Sequence, residues 1–205
     1  MNTIFNIDKL TSSSMFSLAI SRDMSGTGFG GYLTIGGIPD ITNPFINASP
    51  TFTSSPWQPN PNFEPFAYTS YLISVSAVSW TGGSDTTSRL YLVDSGTIGI
   101  NLPDADAAAI NNQFSPPARY SNGHYFVECE ATPPALSFTI NGREFPISPL
   151  DMIWYDVEGS GACESAVQNV GTTNVLGDPF FRSVLAVFDW GREQMLLSPR
   201  THYES

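Results

Sequence analysis

Side chains able to act as acid, base or nucleophile are unevenly supplied in this sequence. Its 205 residues hold two histidines, two cysteines and eight Lys/Arg against nineteen Asp/Glu. His124 and His202 are the only imidazoles, and no Gly-x-Ser-x-Gly elbow occurs. A serine–histidine–aspartate nucleophile is therefore hard to assemble. The same shortage leaves no His/Cys spacing of a zinc site, so no metal or cofactor is expected. Carboxylate chemistry remains, and Asp94 stands out by its setting. It ends the apolar run Leu90-Tyr91-Leu92-Val93 and opens Ser95-Gly96-Thr97. A carboxylate at the end of a hydrophobic strand is costly unless its oxygens are hydrogen-bonded. Gly96 lets the backbone turn sharply and offers an unhindered N–H. Ser95 and Thr97 add hydroxyls that can orient the acid. Taken alone, the tetrapeptide also reads as an ordinary turn after a strand.

Strands must position these groups. Phe16, Leu18 and Ile20 alternate with Ser17, Ala19 and Ser21, as Tyr71, Ile73 and Val75 do with their neighbours, and period 2 predicts strands. Leu90–Val93 and Val184–Phe188 are continuous apolar runs, which predicts strands buried on both faces. Asn141-Gly142 separates Leu136–Ile140 from Arg143–Ile147. That is a hairpin signal, because both turn residues must accept positive φ. Helix is scarce. Asp104–Phe114, entered through Pro103, places Ala107, Ile110 and Phe114 on one narrow stripe. A second short helix is expected after Pro179. Gly26–Gly37 holds six glycines and Asn43–Asn62 five prolines, so both read as connections. One mostly-β domain with one or two short helices is the expected class.

The composition excludes several functions. Charged residues are 13% of the chain and hydrophobic ones 41%, which argues against disorder. A net charge of −11 gives nucleic acid no basic footprint. No apolar run approaches a membrane span, and Met1–Leu10 lacks the pattern of a secretory signal. Cys129 and Cys163 lie 34 positions apart. Joined, they would stabilise the fold by roughly 3–4 kcal/mol in the chain-entropy picture and would mark an oxidising compartment. Asn47-Ala48-Ser49 is a glycosylation sequon pointing to the same setting.

Several segments, in order, resemble one family. Tyr91-Leu92-Val93-Asp94-Ser95-Gly96-Thr97, followed by Leu102-Pro103 and a helix, is similar to the second active-site segment of pepsin-like aspartic peptidases. Val175-Leu176-Gly177-Asp178-Pro179-Phe180-Phe181-Arg182 resembles the segment that braces that loop, running on through Val187-Phe188-Asp189 towards Leu196-Leu197-Ser198. Phe16-Ser17-Leu18 to Ser21-Arg22, with Gly31–Gly37, resembles the entry to the carboxy-terminal lobe. Phe138–Gly142 and the cysteine pair fit its later half. The similarity covers about residues 16–198 and leans towards secreted fungal members.

The resemblance implies a pepsin-like acid protease fold represented by its carboxy-terminal lobe alone. That lobe is an orthogonally packed, barrel-like β sandwich over residues 16–205, with 1–15 as a remnant of the inter-lobe connection. Asp94 is then the second catalytic aspartate, and Ser95, Gly96 and Thr97 support it. Leu92, Ile98 and Val175 border the substrate pocket, with plain core packing the competing role for Leu92 and Val175. Leu176 and Gly177 brace the loop. Ile98 departs from the Ser or Thr often found there, which removes a side-chain hydrogen bond to substrate backbone. A second Asp-Ser/Thr-Gly-Ser/Thr is absent; Asp85-Thr86-Thr87 lacks the glycine. Two aspartates sharing one proton are required by the implied mechanism.

The leading expectation is an aspartic endopeptidase lobe that cleaves peptide substrates at acid pH and is inactive alone. Its partner is the missing amino-terminal lobe. Two alternatives are a symmetric homodimer with one Asp94 per chain and a catalytically silent binding module. The full-length parent is expected outside the cell or in the vacuole. Apolar surface is expected to be bare near the cleft and the inter-lobe sheet.

Overall fold

The apolar runs form strands and little else. A computed structural model describes residues 11, 13–21, 30–61, 70–155 and 163–200. Strands β1 (Met15–Ile20), β2 (Gly31–Ile35) and β3 (Thr53–Pro56) open the described chain. Next come β4 (Leu72–Val75), β5 (Ala77–Trp80), β6 (Gly83–Asp85), β7 (Arg89–Val93) and β8 (Ile100–Asn101), leading into helix α1 (Asp104–Asn111). Beyond it lie β9 (Arg119–Ser121), β10 (His124–Val127), β11 (Leu136–Ile140), β12 (Arg143–Ile147) and β13 (Ile153–Tyr155). The chain closes with β14 (Cys163–Ser165), β15 (Val167–Gln168), β16 (Val175–Leu176), helix α2 (Asp178–Ser183), β17 (Val184–Asp189) and β18 (Gln194–Pro199). The class is mostly β, as expected, with four sheets among the described residues and none of them closed into a barrel. The chain clusters into two compact units, Met1–Trp57 with Phe181–Ser205, and Gln58–Phe180.

The first unit is one antiparallel sheet in the order β2-β1-β17-β18-β3. Every residue of β17 is buried, Asp189 included, which matches the continuous apolar run. Phe16 stacks on Phe188 with centroids 4.4 Å apart. The alternation expected in β1 is only half right: Phe16, Ser17 and Ala19 are buried, while Leu18 and Ile20 are half-buried. Strands on both sides cover β1, Ala19 packs with Ile46 and Leu185, and Ser17 donates to Gly37 O at 3.1 Å. Part of the glycine-rich stretch is strand β2, although residues 22–29 lie outside the described ones. Leu33 and Ile35 of β2 are 60% and 38% exposed. The proline-rich stretch also contains a strand, β3, at the sheet edge, where Pro56 deprives no neighbour of a donor. His202 and residues 1–10 of the expected connection lie outside the described residues.

The second unit holds three sheets, ordered β13-β14-β10-β9, β12-β11-β5-β6 and β15-β8-β16-β7-β4. The β11–β12 hairpin turns on Asn141 (φ 46°) and Gly142 (φ 76°), the geometry the sequence called for. Its inward rings, Phe138 and Phe145, are fully buried, and Tyr91 meets Phe138 edge-on at 5.9 Å. Helix α1 starts after Pro103 but stops at Asn111, three residues short of the expected end. Asn111 turns its amide back onto Ala107 O and across to Val167 O, both at 2.9 Å, and Asn is a weak helix former. Phe114 is buried nonetheless. Cys129 and Cys163 are joined in a disulfide with Cα atoms 5.1 Å apart.

Candidate active site

The site is built where β7 ends. Asp94 follows Val93, and its carboxylate is held on both oxygens. The Gly96 N–H donates to Oδ1 at 3.0 Å and the Thr97 hydroxyl to Oδ2 at 2.8 Å. The Thr97 N–H closes the turn on Asp94 O at 3.2 Å. The residue types suit this arrangement, since Gly96 brings an N–H close without a side chain and Thr97 supplies the hydroxyl.

A strand far away in sequence fixes this turn. β16 runs parallel to β7, pairing Val175 with Leu92 and Leu176 with Val93. Asp94 N–H donates to Leu176 O at 3.1 Å, and Asp178 N–H donates to Thr97 O at 2.9 Å. Gly177 lies between them, so close to the turn that an added Cβ would fall on the carbonyl oxygens of Thr97 and Gly99. The segment leaving the turn docks through Ile100 N–H to Ala166 O at 2.7 Å and Leu102 N–H to Gln168 O at 3.0 Å.

Strand alternation places Leu90, Leu92 and Asp94 on one face of β7, and Tyr91 and Val93 on the other. Tyr91 and Val93 are 1% and 2% exposed, while Leu90 is 37% exposed and Leu92 half-buried. The expectation of burial on both faces therefore fails for β7. Its outer face borders an open groove of about 260 Å³ lined by Leu72, Leu90 and Leu92 with Asn60, Thr172 and Asn174 at the polar rim. Ile98 projects from the turn, 66% exposed, and Ser95 is exposed as well. Val175 is buried at 6% and packs within the sheet. No group of three or more His, Cys, Asp or Glu able to hold a metal occurs among the described residues. No described helix is long and apolar enough to cross a membrane.

A held carboxylate on a turn braced by a distant glycine matches the order of segments seen in the sequence. A family model described as eukaryotic aspartyl protease matches residues 2–200. The chain belongs to that family. It is 34% identical over 194 residues to a probable aspartic-type endopeptidase of Aspergillus fumigatus, covering 88% of this chain and 43% of that protein. It is 29% identical over 199 residues to cathepsin E-A of Xenopus laevis, covering 92% and 46%. A probable vacuolar protease A of Trichophyton verrucosum is 35% identical over 109 residues, covering 49% and 26%. The chain thus spans less than half the length of these relatives.

In this aspartyl protease chain the structure brings together Asp94, Gly96, Thr97, Leu176 and Gly177, with Leu92 and Val175 paired on the strands that lead into the turn. Asn47 lies in a loop of the first unit at φ 41°, half-buried. His124 lies 3.6 Å from Glu164 on the β10–β14 pair, away from Asp94 in sequence and in sheet. Sequence reasoning passed over Asn174, whose carbonyl accepts from Leu92 N–H at 2.9 Å and whose amide donates to Leu90 O at 3.3 Å. It also passed over Asp85 and Asp106, whose surroundings shift them in opposite directions. Hydrogen bonds from Thr87, aided by Arg89, pull Asp85 down to about 2. Burial first, then the neighbouring Asp85, pushes Asp106 up. Burial also raises the Tyr91 phenol. The sequence signal was Asp85 four residues before Arg89, readable only with the hairpin in hand.

Proposed function

We propose that this chain supplies one of the two aspartates of an acid endopeptidase, with Asp94 as the reacting carboxyl. The observation that carries the reading is the carboxylate gripped on both oxygens by Gly96 and Thr97 on a turn locked by Leu176–Asp178. Asp94 faces a counterpart from an amino-terminal lobe, and one water lies between them. Two carboxylates a few ångströms apart cannot both ionise, so the pair holds one proton. The ionised member takes a proton from the water as it attacks the peptide carbonyl carbon. The protonated member gives its proton to the carbonyl oxygen, forming a gem-diol; the member that took the water's proton then passes it to the leaving nitrogen while the other carboxylate takes a proton back from a diol hydroxyl, so the C–N bond breaks, acid and amine leave and the pair again holds one proton. Gly96 and Thr97 keep the Asp94 oxygens oriented without consuming protons. Leu92 and Ile98 offer apolar contact to side chains beside the cut. The parent works outside the cell or in the vacuole.

The test combines the chain with a separately produced amino-terminal lobe and follows hydrolysis of a denatured protein at acid pH. Activity is expected from the mixture, none from the chain alone, and none when Asp94→Asn is used. Cleavage that survives Asp94→Asn overturns the assignment. Cleavage by the chain alone, second order in chain concentration, points instead to a symmetric pair.

A further inference from the structure

The sheet that carries Asp94, ordered β15-β8-β16-β7-β4, ends on one side at β15. This two-residue strand runs parallel to β8. Its neighbourhood accepts the bonds that dock the segment leaving the Asp94 turn, Ile100 N–H to Ala166 O and Leu102 N–H to Gln168 O. Backbone groups on the outer side of such an edge need other partners when they are buried. For Val167 these are side chains: its N–H donates to Ser165 Oγ at 3.1 Å, and its carbonyl accepts from the Asn111 amide at 2.9 Å. The Gln168 side chain reaches into a different sheet. Its Oε1 accepts from Tyr125 N–H at 2.9 Å, and its Nε2 donates to Tyr125 O at 3.1 Å and to Ser165 O at 2.7 Å. Tyr125 belongs to β10, in the sheet that also carries Cys163.

A primary amide presents a donor beside an acceptor, as a peptide unit does. The pairing of β10 with β14 is registered at Val127↔Cys163 and Phe126↔Glu164 and goes no further. At the next residue of β10, Tyr125, the Gln168 amide takes both backbone groups and so adds one rung to the ladder where β14 leaves it. Only one orientation of the amide makes all three bonds, because turning it over sets its oxygen against two carbonyls. Gln168 is 7% exposed, so losing its amide strips a hydrogen bond from three backbone groups where water is a poor substitute. We propose that Gln168 is a positioning residue for the Asp94 turn: its side-chain amide fastens β15 to β10 and thereby holds the Ile100–Leu102 segment that leaves the turn. Its bearing on hydrolysis rests on Asp94 being the reacting carboxyl; the fastening itself does not.

Gln168→Glu turns this fastening into one that titrates. A neutral carboxyl accepts from Tyr125 N–H through one oxygen and donates to a facing carbonyl through the other, whereas an ionised one has no donor. Burial and the two carbonyls disfavour the ionised form, so the introduced carboxyl is expected above the ordinary value of about 4.3. A raised group contributes in full below its ordinary value, and the contribution is lost as pH rises through the raised one. The variant is therefore expected to be fastened in acid and loose at neutrality, while the wild-type amide does not titrate. The other titratable groups on the elements packed against β15 are Asp104 and Asp106 of α1 and His124 and Tyr125 of β10, with none on β8 and with Glu164 beside Ser165 on β14. All of them are present in both chains, so they cancel when variant and wild type are compared at one pH.

Hydrogen exchange in the full chain tests this without any proteolysis. The probes are the amides of Ile100 and Leu102, which dock the segment on Ala166 and Gln168, and of Asp178, which bonds the turn at Thr97 O. Phe138 and Phe145, paired across the β11–β12 hairpin, report overall stability. After correction for intrinsic exchange, protection of the three probes in Gln168→Glu is expected within about tenfold of wild type at pH about 3. Relative to wild type it is expected to fall as pH is raised to about 8, roughly tenfold for each unit by which the carboxyl is raised. Gln168→Leu, with neither donor nor acceptor, is expected to lose about 100-fold at every pH, and Phe138 and Phe145 are expected to lose less in both variants. A ratio of Gln168→Glu to wild type that does not change with pH overturns the proposal, even if Gln168→Leu does not fold. Losses at Phe138 and Phe145 equal to those at the probes also overturn it, since Gln168 would then serve overall stability rather than the turn. A failed Asp94→Asn activity test leaves these exchange outcomes unaffected.

Discussion

Replacing Gly177 by alanine perturbs the brace without touching the carboxylate. The new Cβ lands on two carbonyl oxygens, Thr97 O and Gly99 O, well inside the 3.0 Å that real Cβ atoms respect. Neither obstacle is the end of a flexible side chain, so relief requires backbone movement of the turn or of β16. Overpacking of this kind costs about 3 kcal/mol at the upper end of the usual range. Separation of the two segments also removes the Asp178 N–H to Thr97 O bond, worth about 1 kcal/mol. A total of about 4 kcal/mol is a large part of the roughly 5–15 kcal/mol that holds a domain folded. Urea unfolding of the chain is expected to show a lowered midpoint at unchanged m-value. In the assembled two-lobed enzyme, a turn displaced by about 1 Å is expected to lose about 100-fold in kcat. Gly37→Ala is the control: nothing lies within 4 Å of its added Cβ and its φ is ordinary, so stability should hold within about 0.5 kcal/mol. A Gly177→Ala chain that also stays within about 0.5 kcal/mol of wild type refutes the argument.

Thr97→Val keeps shape and removes the hydroxyl that donates to Asp94 Oδ2 at 2.8 Å. Because Asp94 is half-buried, a loss of about 1.5 kcal/mol is expected by chemical denaturation, with Thr97→Ser restoring most of it; equal losses in both variants would contradict the role given to the hydroxyl. Cys163→Ser opens a bridge between residues 34 apart and should lower the unfolding free energy by roughly 3–4 kcal/mol. Reduced wild type should match it, and a variant as stable as the oxidised chain would show that the bridge does not constrain the unfolded state.

Much of this chain was legible one residue at a time. The Asn141-Gly142 turn, the fully apolar β17, the entry to α1 at Pro103 and the held carboxylate at Asp94 each follow from short-range chemistry, since turn geometry, strand period and carboxylate solvation depend on adjacent residues. Misreadings occurred where burial depends on what lies opposite. Leu90 and Leu92 look identical to the core residues beside them, yet one face of β7 is open. Ser17 looks like a surface residue, yet it is covered and satisfied by Gly37 O.

The amino-acid order alone therefore determined which groups can do chemistry here: one aspartate with a glycine and a threonine at the right offsets, almost no histidine, and a backbone of strand-forming runs. Tertiary structure decided what those groups meet. The parallel pairing of β7 with β16 joins residues 83 positions apart, Leu92 with Val175, and the Asn111 amide of α1 donates to Val167 O of β15, 56 positions away. Neither is encoded in local propensity, because contacts across a sheet or between a helix and a strand are set by how whole faces are buried.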